Sequence, residues 1–466
     1  MKIEFHGADR NVTGSCHLIR CHGKLVLVDC GMYQGGREID EENSGDFGFD
    51  PRAVDFLVLT HAHLDHCGRI PLLVKRGFRG TIVATPATRE LARLVMLDSA
   101  RIQEEEALYK SRKQRRRGER DGEAQPLYTT LDALNCLDFF TEVPGCEDPR
   151  TLAEGIRMTF FDSGHILGAA AVLFELEENG YRRRVLFSGD LGYSGRIILR
   201  DPARPPHADV VVMETTYGDR RHKELAPSIE ELYRAVTETL DRGGNVLIPS
   251  FALERSQEII YYLREGLAQG KVPRNMRVFL DSPMAISATE IFRRHPECYD
   301  AETSKLFRSG QDPFDLPGLH FTRETADSMS LNKLRGGAVI IAGSGMCTGG
   351  RIRHHLKHNL WRKETSVVFV GYAARGTLAR RIIDGAEKVT LFGEEIVVRA
   401  GIYTIGGFSA HADQDELLAW YRRTGEPETT FLVHGEEESM TVFAKFLHNT
   451  RVEMPRLHQE YDLLNP

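Results

Sequence analysis

The stretch "LTHAHLDHCGRIP", Leu59 to Pro71, places His61, His63, Asp65 and His66 within six residues. The apolar run "FLVL" leads directly into it and reads as a strand. In a strand-end loop alternate side chains point in different directions. One subset can therefore bind one metal ion and the remainder a second. Imidazole and carboxylate suit zinc, and a catalytic zinc site keeps one position open for water. A His-rich surface loop explains a single histidine well enough. Four metal-capable side chains in this register favour a metal site.

A dinuclear site needs ligands from elsewhere in the chain. Three residues stand in matching contexts, each just after an apolar strand: His165 in "FFDSGHILG", Asp190 in "VLFSGDLG" and His434 in "TFLVHGEE". Singly, each reads as a turn residue or strand terminator. Jointly they complete a ligand set, and Asp190 can bridge two metals with its two oxygens.

The elements that must carry these residues come in two styles. Up to about residue 207 the chain is β-rich, with strands such as "KLVLVDCG", "AVDFLVLT" and "RRRVLFSGD", several ending in His or Asp. "GTIVATPATRELARLVMLDSARIQEEEALYKS" begins as a strand and turns helical. From "DVVVMETTYG" onward strands and helices alternate, which argues for a parallel, doubly wound sheet. "PSIEELYRAVTETLDRGG" reads as a helix there, with Ser228 as candidate N-cap. "GGFSAHADQDELLAWYRR" and "TTFLVHGEEESMTVFAKFL" then return to the His-bearing style. This pattern implies one domain over 1–207, interrupted by an α/β domain over 208–400 and completed by 401–466.

"THAHLDH" with Asp29, His165 and Asp190 resembles the metallo-β-lactamase superfamily. Glu214 in "METTYGDR", His411 in "GFSAHAD" and His434 in "VHGEEE" resemble its β-CASP branch of nucleases, related to RNase J and to the cleavage and polyadenylation specificity factor endonuclease. The resemblance covers essentially the whole chain. It implies an α/β architecture: an αββα sandwich split by an inserted β-CASP domain with a mainly parallel sheet.

The resemblance also implies roles. One zinc would sit on His61, His63, His165 and Asp190, and a second on Asp65, His66, Asp190 and His434, two per chain. Asp29 would support ligand geometry. In DNA-processing members the position of His434 is usually not histidine, so its presence favours the RNA-processing branch. The implied reaction is cleavage of single-stranded RNA, in the cleft between the two domains, by a hydroxide activated by both metals. Asp65 would orient the nucleophile. His411 would protonate the leaving oxygen, with Glu214 holding its imidazole. "SAHADQDELL" also reads as a helix start, and both readings of His411 are compatible.

Several strand-to-helix junctions are candidate RNA contacts. "AGSGMCTGGRIRHHL" has glycines that admit an anion at a helix N-terminus. It misses the P-loop pattern because Arg351 and Ile352 replace Lys and Ser/Thr, which disfavours nucleotide hydrolysis. With the resemblance, Ser344, Gly345, Met346 and Arg351 become candidate phosphate contacts. Tyr372 and Arg375 in "GYAARGTLAR" are further candidates for stacking or phosphate binding, against ordinary surface polarity.

Composition bounds the rest. The 466 residues are 41% hydrophobic and 27% charged, which is ordinary for globular proteins. The start "MKIEFHGADR" shows no signal-peptide pattern and no apolar run reaches membrane-helix length, so a cytoplasmic protein with no membrane partner is expected. The eight cysteines include no C-x-x-C pair, which argues against a thiolate zinc site. A net charge of −7 gives no global field for nucleic acid, but "YKSRKQRRRGER" carries seven Lys or Arg against one Glu. That run reads as a solvated helix end, a guide for a polyanion or a localisation signal. Two other functions are weighed against the ribonuclease: a hydrolase of a small ester or thioester, and a non-catalytic RNA-binding subunit. The long insertion argues against the first, and the filled ligand positions against the second. A homo-oligomer or an RNA-processing partner protein is compatible with the sequence, as is either endo- or 5′-exonucleolytic cleavage.

Overall fold

The computed structural model describes residues 1–35, 42–117, 124–143, 145–371, 373–374 and 376–464. These fall into two compact units. The first comprises Met1–Arg196, Arg200–Arg221 and His411–Pro466, and the second Ile197–Leu199 and His222–Ala410.

The first unit holds two seven-stranded sheets. One runs in the order Gln459–Asp462, Lys2–Phe5, His17–Cys21, Lys24–Val28, Phe56–Val58, Thr81–Ala84, Phe140–Glu142. The other runs Arg451–Glu453, Thr429–Val433, Val210–Glu214, Tyr181–Phe187, Ala170–Glu178, Ile156–Asp162, Arg150–Ala153. Each mixes hairpin-type antiparallel pairs with parallel ones; Phe56–Val58 pairs parallel to both Lys24–Val28 and Thr81–Ala84.

Period-two alternation builds the core. Phe5, Ile19, Val28, Val58 and Val83 of one sheet meet Phe160, Phe174, Phe187, Val212 and Phe431 of the other in one buried cluster. The intervening residues of the second sheet, Leu186, Val211, Met213 and Leu432, instead pack with Leu417, Trp420, Met440 and Phe443 from the helices Gln414–Tyr421 and Glu437–Ala444. In the first sheet, Leu57 and Ile82 alternate with the core residues and are fully buried. The parallel connections after Phe56–Val58 and Thr81–Ala84 carry the helices Ile70–Lys75 and Pro86–Arg117. With one face taken by the other sheet, those crossovers cover the second face. The layers are thus αββα.

The second unit has a six-stranded sheet in the order Leu319–Phe321, Arg277–Leu280, Ala338–Ala342, Val246–Pro249, Ser366–Phe369, Gly401–Thr404. Every pairing in it is parallel. Its central strands are buried throughout, as expected when helices cover both faces. A short hairpin, Lys388–Leu391 with Glu394–Val397, stands apart from this sheet.

Three sequence expectations shift. The units divide after Arg221 and before His411, where the sequence pattern suggested 207/208 and 400/401. The strand Val210–Glu214, expected to open the inserted domain, lies between Tyr181–Phe187 and Thr429–Val433 in the first unit. Strand pairing is non-local, so a strand followed by a helix looks the same in either sheet. Ser228 is not the N-cap of its helix, which begins at Leu225; its hydroxyl bonds the Glu224 carbonyl at 2.9 Å from within the first turn.

A buried carboxylate organises the second unit. Asp281 accepts hydrogen bonds from Ser328 Oγ at 2.6 Å and Thr322 Oγ1 at 2.8 Å, and pairs with His355 Nε2 at 2.6 Å and Arg351 Nη1 at 2.8 Å. Burial opposes its charge, but the bonds from His355, Ser328 and Thr322 win and hold its pKa down at about 2. Its stabilising effect is complete above the ordinary carboxylate range and lost as pH falls from about 4 through 2. Asp281→Ala strands His355 and Arg351 and is expected to cost about 3–5 kcal/mol. Urea unfolding at neutral pH, followed on both proteins, checks this; the difference should shrink near pH 2.

Candidate metal centre

The ligand-type residues sit where strands of the first unit end. Phe56–Val58 leads into His61 and His63, then the short helix Leu64–Cys67 carries Asp65 and His66. Ile156–Asp162 precedes His165, Tyr181–Phe187 precedes Asp190, and Thr429–Val433 ends at His434. Backbone close approach fixes the loops. A Cβ on Gly31 would collide with the Asp65 carbonyl, and one on Gly192 with the Gly164 carbonyl beside His165.

Two sets of atoms converge. In the first, His63 Nδ1 lies 3.2 Å from His61 Nε2 and 3.1 Å from His165 Nε2. Asp190 Oδ2 faces this set, 3.4 Å from His61 and 3.5 Å from His165. In the second, His434 Nε2 lies 3.3 Å from His66 Nε2 and 3.4 Å from Asp65 Oδ2. Asp190 Oδ1 faces that one, 3.4 Å from His66 Nε2 and 3.5 Å from the other ring nitrogen of His434, Nδ1. His61, His63, His165 and Asp190 offer atoms within 4.8 Å of one another, as do Asp65, His66 and His434, and as do Asp190, Glu214 and His434. The two oxygens of Asp190 thus serve different sets.

The arrangement fits metal ions on its own chemistry. Asp190 Oδ1 is buried and has no hydrogen-bond partner among the described residues. Burying an ionised carboxylate oxygen without a partner is costly, and a cation removes that cost. Burial pushes the His63 pKa down to about 3 and His165 well below its usual range, which keeps both rings neutral, the form that binds metal.

Supporting contacts orient the rings. Asp29, held with φ 59° just after the strand Lys24–Val28, accepts from Thr60 N at 2.8 Å and Thr60 Oγ1 at 2.9 Å. Its Oδ2 lies 2.7 Å from His66 Nδ1, which turns His66 Nε2 toward the second set. Thr60 Oγ1 also meets His61 Nδ1 at 3.0 Å, and Thr216 Oγ1 meets His434 Nδ1 at 3.1 Å. Buried Arg196 donates to the His165 carbonyl at 2.9 Å. Thr60, Thr216 and Arg196 are the site residues that sequence reasoning missed. Only Thr60 had a signal, its place immediately before His61. Thr60→Val removes a bond to Asp29 and one to His61, and is expected to weaken metal affinity about 10–100-fold. Competition with a chromophoric chelator measures that change.

Glu214 and His411 stand beside the ligand sets. Glu214 accepts from Leu191 N at 2.6 Å, and His411 Nδ1 lies 3.3 and 3.2 Å from its two oxygens. The His411 side chain is 20% exposed and that of Glu214 is 1%, so the imidazole is the member a substrate can reach. Burial opposes charge on His411, but Glu214 and Asp190 outweigh it and lift its pKa to about 9. His411 also lies just before Asp413, which caps the helix Gln414–Tyr421 through Asp415 N and Glu416 N.

The other candidates lie in the second unit. Ser344, Gly345 and Met346 occupy the turn between Ala338–Ala342 and Ile352–Asn359. Ser344 Oγ accepts from Gly349 N at 3.3 Å, Met346 Sδ accepts from Ala374 N at 3.4 Å, and Gly345 lies against the exposed ring of Phe251. The Arg351 guanidinium is engaged inside the unit, with Asp281 and the carbonyls of Thr322 at 2.8 Å and Arg323 at 2.7 Å. Tyr372 and Arg375 lie outside the described residues.

Residues 10–242 match the metallo-beta-lactamase superfamily, 256–382 the Beta-Casp domain, and 395–455 the Zn-dependent metallo-hydrolase RNA specificity domain. A protein of Thermus thermophilus named as a ribonuclease is 40% identical over 448 residues, covering 96% of each chain. A transcription termination factor of Methanocaldococcus jannaschii is 32% identical over 95% of this chain and 68% of its own. An RNase J-like protein of the same organism is 28% identical over 96% of each. A solved structure of a protein of unknown function from Enterococcus faecalis V583 shares the fold, with TM-score 0.52 and 12% identity over 99% of each chain. The chain belongs to the metallo-β-lactamase superfamily, in its β-CASP branch.

Proposed function

We propose that this chain is a zinc-dependent ribonuclease that holds two metal ions and hydrolyses phosphodiester bonds of single-stranded RNA. The observation that carries the reading is Asp190, whose two oxygens face two separate converging ligand sets. A divalent pair bound there supplies Lewis acidity and a nucleophile at neutral pH. RNA as substrate is supported by the match to an RNA specificity domain and by relatives named as a ribonuclease and as RNase J-like. No helix among the described residues is long and apolar enough to cross a membrane.

The chain's own residues then divide the work. Asp65, at the rim of the second set, orients the attacking water oxygen toward phosphorus and takes up the proton that this water releases. Phosphorus gains that oxygen and loses O3′. His411 Nδ1 is committed to Glu214, so Nε2 carries the proton delivered to O3′. Glu214 stabilises the imidazolium before transfer. The products are a 3′-hydroxyl and a 5′-phosphate.

The test is incubation of the zinc-loaded protein with internally labelled single-stranded RNA and, separately, with small thioesters. RNA fragments bearing 5′-phosphates are the expected result. Thioester turnover with intact RNA would replace this reading with the small-substrate hydrolase.

A further inference from the structure

The helix Pro86–Arg117 has one face inside the protein and one outside. Ala100 and Ala107 are buried; Gln103 and Ser111 accept bonds from the returning chain, at Leu127 N and Ala124 N. Spacing of 3.6 residues per turn puts Tyr109, Arg112, Lys113 and Arg116 on the opposite side. All four are exposed, Tyr109 to 67%, and they span about 10 Å along the axis. Lys110, also exposed, flanks the stripe. Over positions 107–116 there is no acidic residue, in a chain of net charge −7. Exposed Glu105 and Glu106 bound the stripe one turn earlier.

We infer that this stripe is a second binding surface for single-stranded RNA, distant from the bond being cut. The inference rests on the ribonuclease reading for its choice of ligand. Three cations at helical spacing meet successive phosphates, and Tyr109 offers a face on which a base stacks. A membrane-surface helix would need a continuous free apolar face, and here the exposed apolar residues Ile102 and Leu108 stand apart among exposed Arg101, Glu105, Glu106, Lys110 and Arg112. The helix begins where Thr85 and Thr88 hold the Gly168 carbonyl, three residues after His165. The stripe starts some twenty residues further along, about 30 Å away by helical rise. Only RNA long enough to leave the metal centre and reach the helix end can use it. The surface therefore confers a preference for longer RNA and contributes to binding without touching the chemistry.

The test compares wild type with the combined variant Arg112→Gln, Lys113→Gln, Arg116→Gln, and separately with Tyr109→Ala. Glutamine keeps helix propensity and removes charge. Binding of a 40-nucleotide oligouridylate is followed by anisotropy across a salt series, alongside cleavage of that RNA and of a hexanucleotide. The triple variant is expected to bind the long RNA about tenfold more weakly and to lose about 2 from the salt slope. KM for long RNA should rise with kcat unchanged, and hexanucleotide cleavage should equal that of wild type, which also shows that the variant is folded. Tyr109→Ala should weaken long-RNA binding without changing the salt slope. Equal binding and equal slopes for wild type and triple variant would overturn the inference while leaving the ribonuclease intact. Binding of phosphatidylserine vesicles that the triple variant loses, with RNA binding unchanged, would overturn it in favour of a membrane contact. Stripe-dependent RNA binding by a protein that cuts no RNA would uphold the surface and reject the ribonuclease reading.

Discussion

Asp190→Ala is expected to abolish RNA cleavage, by at least ~10³-fold, and to reduce bound metal at both positions together. The carboxylate faces both ligand sets, with Oδ2 near His61 and His165 and Oδ1 near His66 and His434. Its loss takes away the oxygens that face the two sets and leaves neighbouring imidazoles packed without the anion between them. A factor of 10³ corresponds to about 4 kcal/mol of barrier, within what a metal pair contributes in such sites. His63→Ala, by contrast, strikes the first set alone. Metal analysis of the two variants separates the cases: Asp190→Ala should fall below one metal per chain, and His63→Ala should retain the second position. Full metal content in Asp190→Ala would show that the carboxylate does not bridge.

His411→Ala is expected to give a different failure. Its ring sits beside the first set, with centroids 4.5 Å from His165, but its Nδ1 is turned to Glu214. Removing it should leave metal content and substrate affinity intact and lower kcat about 10²–10⁴-fold, the range for loss of a general acid. The sharper readout is leaving-group dependence. An RNA analogue with a sulfur in place of the leaving O3′ needs little protonation, so His411→Ala should cut it nearly as fast as wild type does. A variant equally impaired on both substrates would assign His411 a structural role at the start of the helix Gln414–Tyr421.

The fold class was legible in the sequence, and the site was legible as a set of candidate residues. "THAHLDH" is local, so its candidacy as a ligand run follows from spacing alone; His61 and His63 fall in one group of converging atoms and Asp65 and His66 in another. His165, Asp190 and His434 were legible as candidates because each follows an apolar strand, and all three do so in the structure. Thr216 and Arg196 act through bonds to residues or backbone that only tertiary folding brings near, and Thr60 had only its place before His61 to mark it. Arg351 shows the same limit from the other side. Its place by a glycine-rich turn suggested phosphate, but Asp281, seventy residues earlier, takes up its guanidinium. The strand Val210–Glu214 was assigned to the wrong sheet because apolar runs specify burial, not neighbours. The long helix was legible as a helix, yet its solvent stripe emerged only once the buried face was fixed by Ala100, Gln103, Ala107 and Ser111.

The central claim is that two metal ions on these residues drive RNA hydrolysis. The most direct measurement is a zinc titration of chelator-stripped protein, with metal content and cleavage of labelled single-stranded RNA read on the same samples. The stripped protein should be inactive, and activity should rise to a plateau as the second equivalent per chain is taken up. Undiminished RNA cleavage by protein shown to carry no metal would contradict the account.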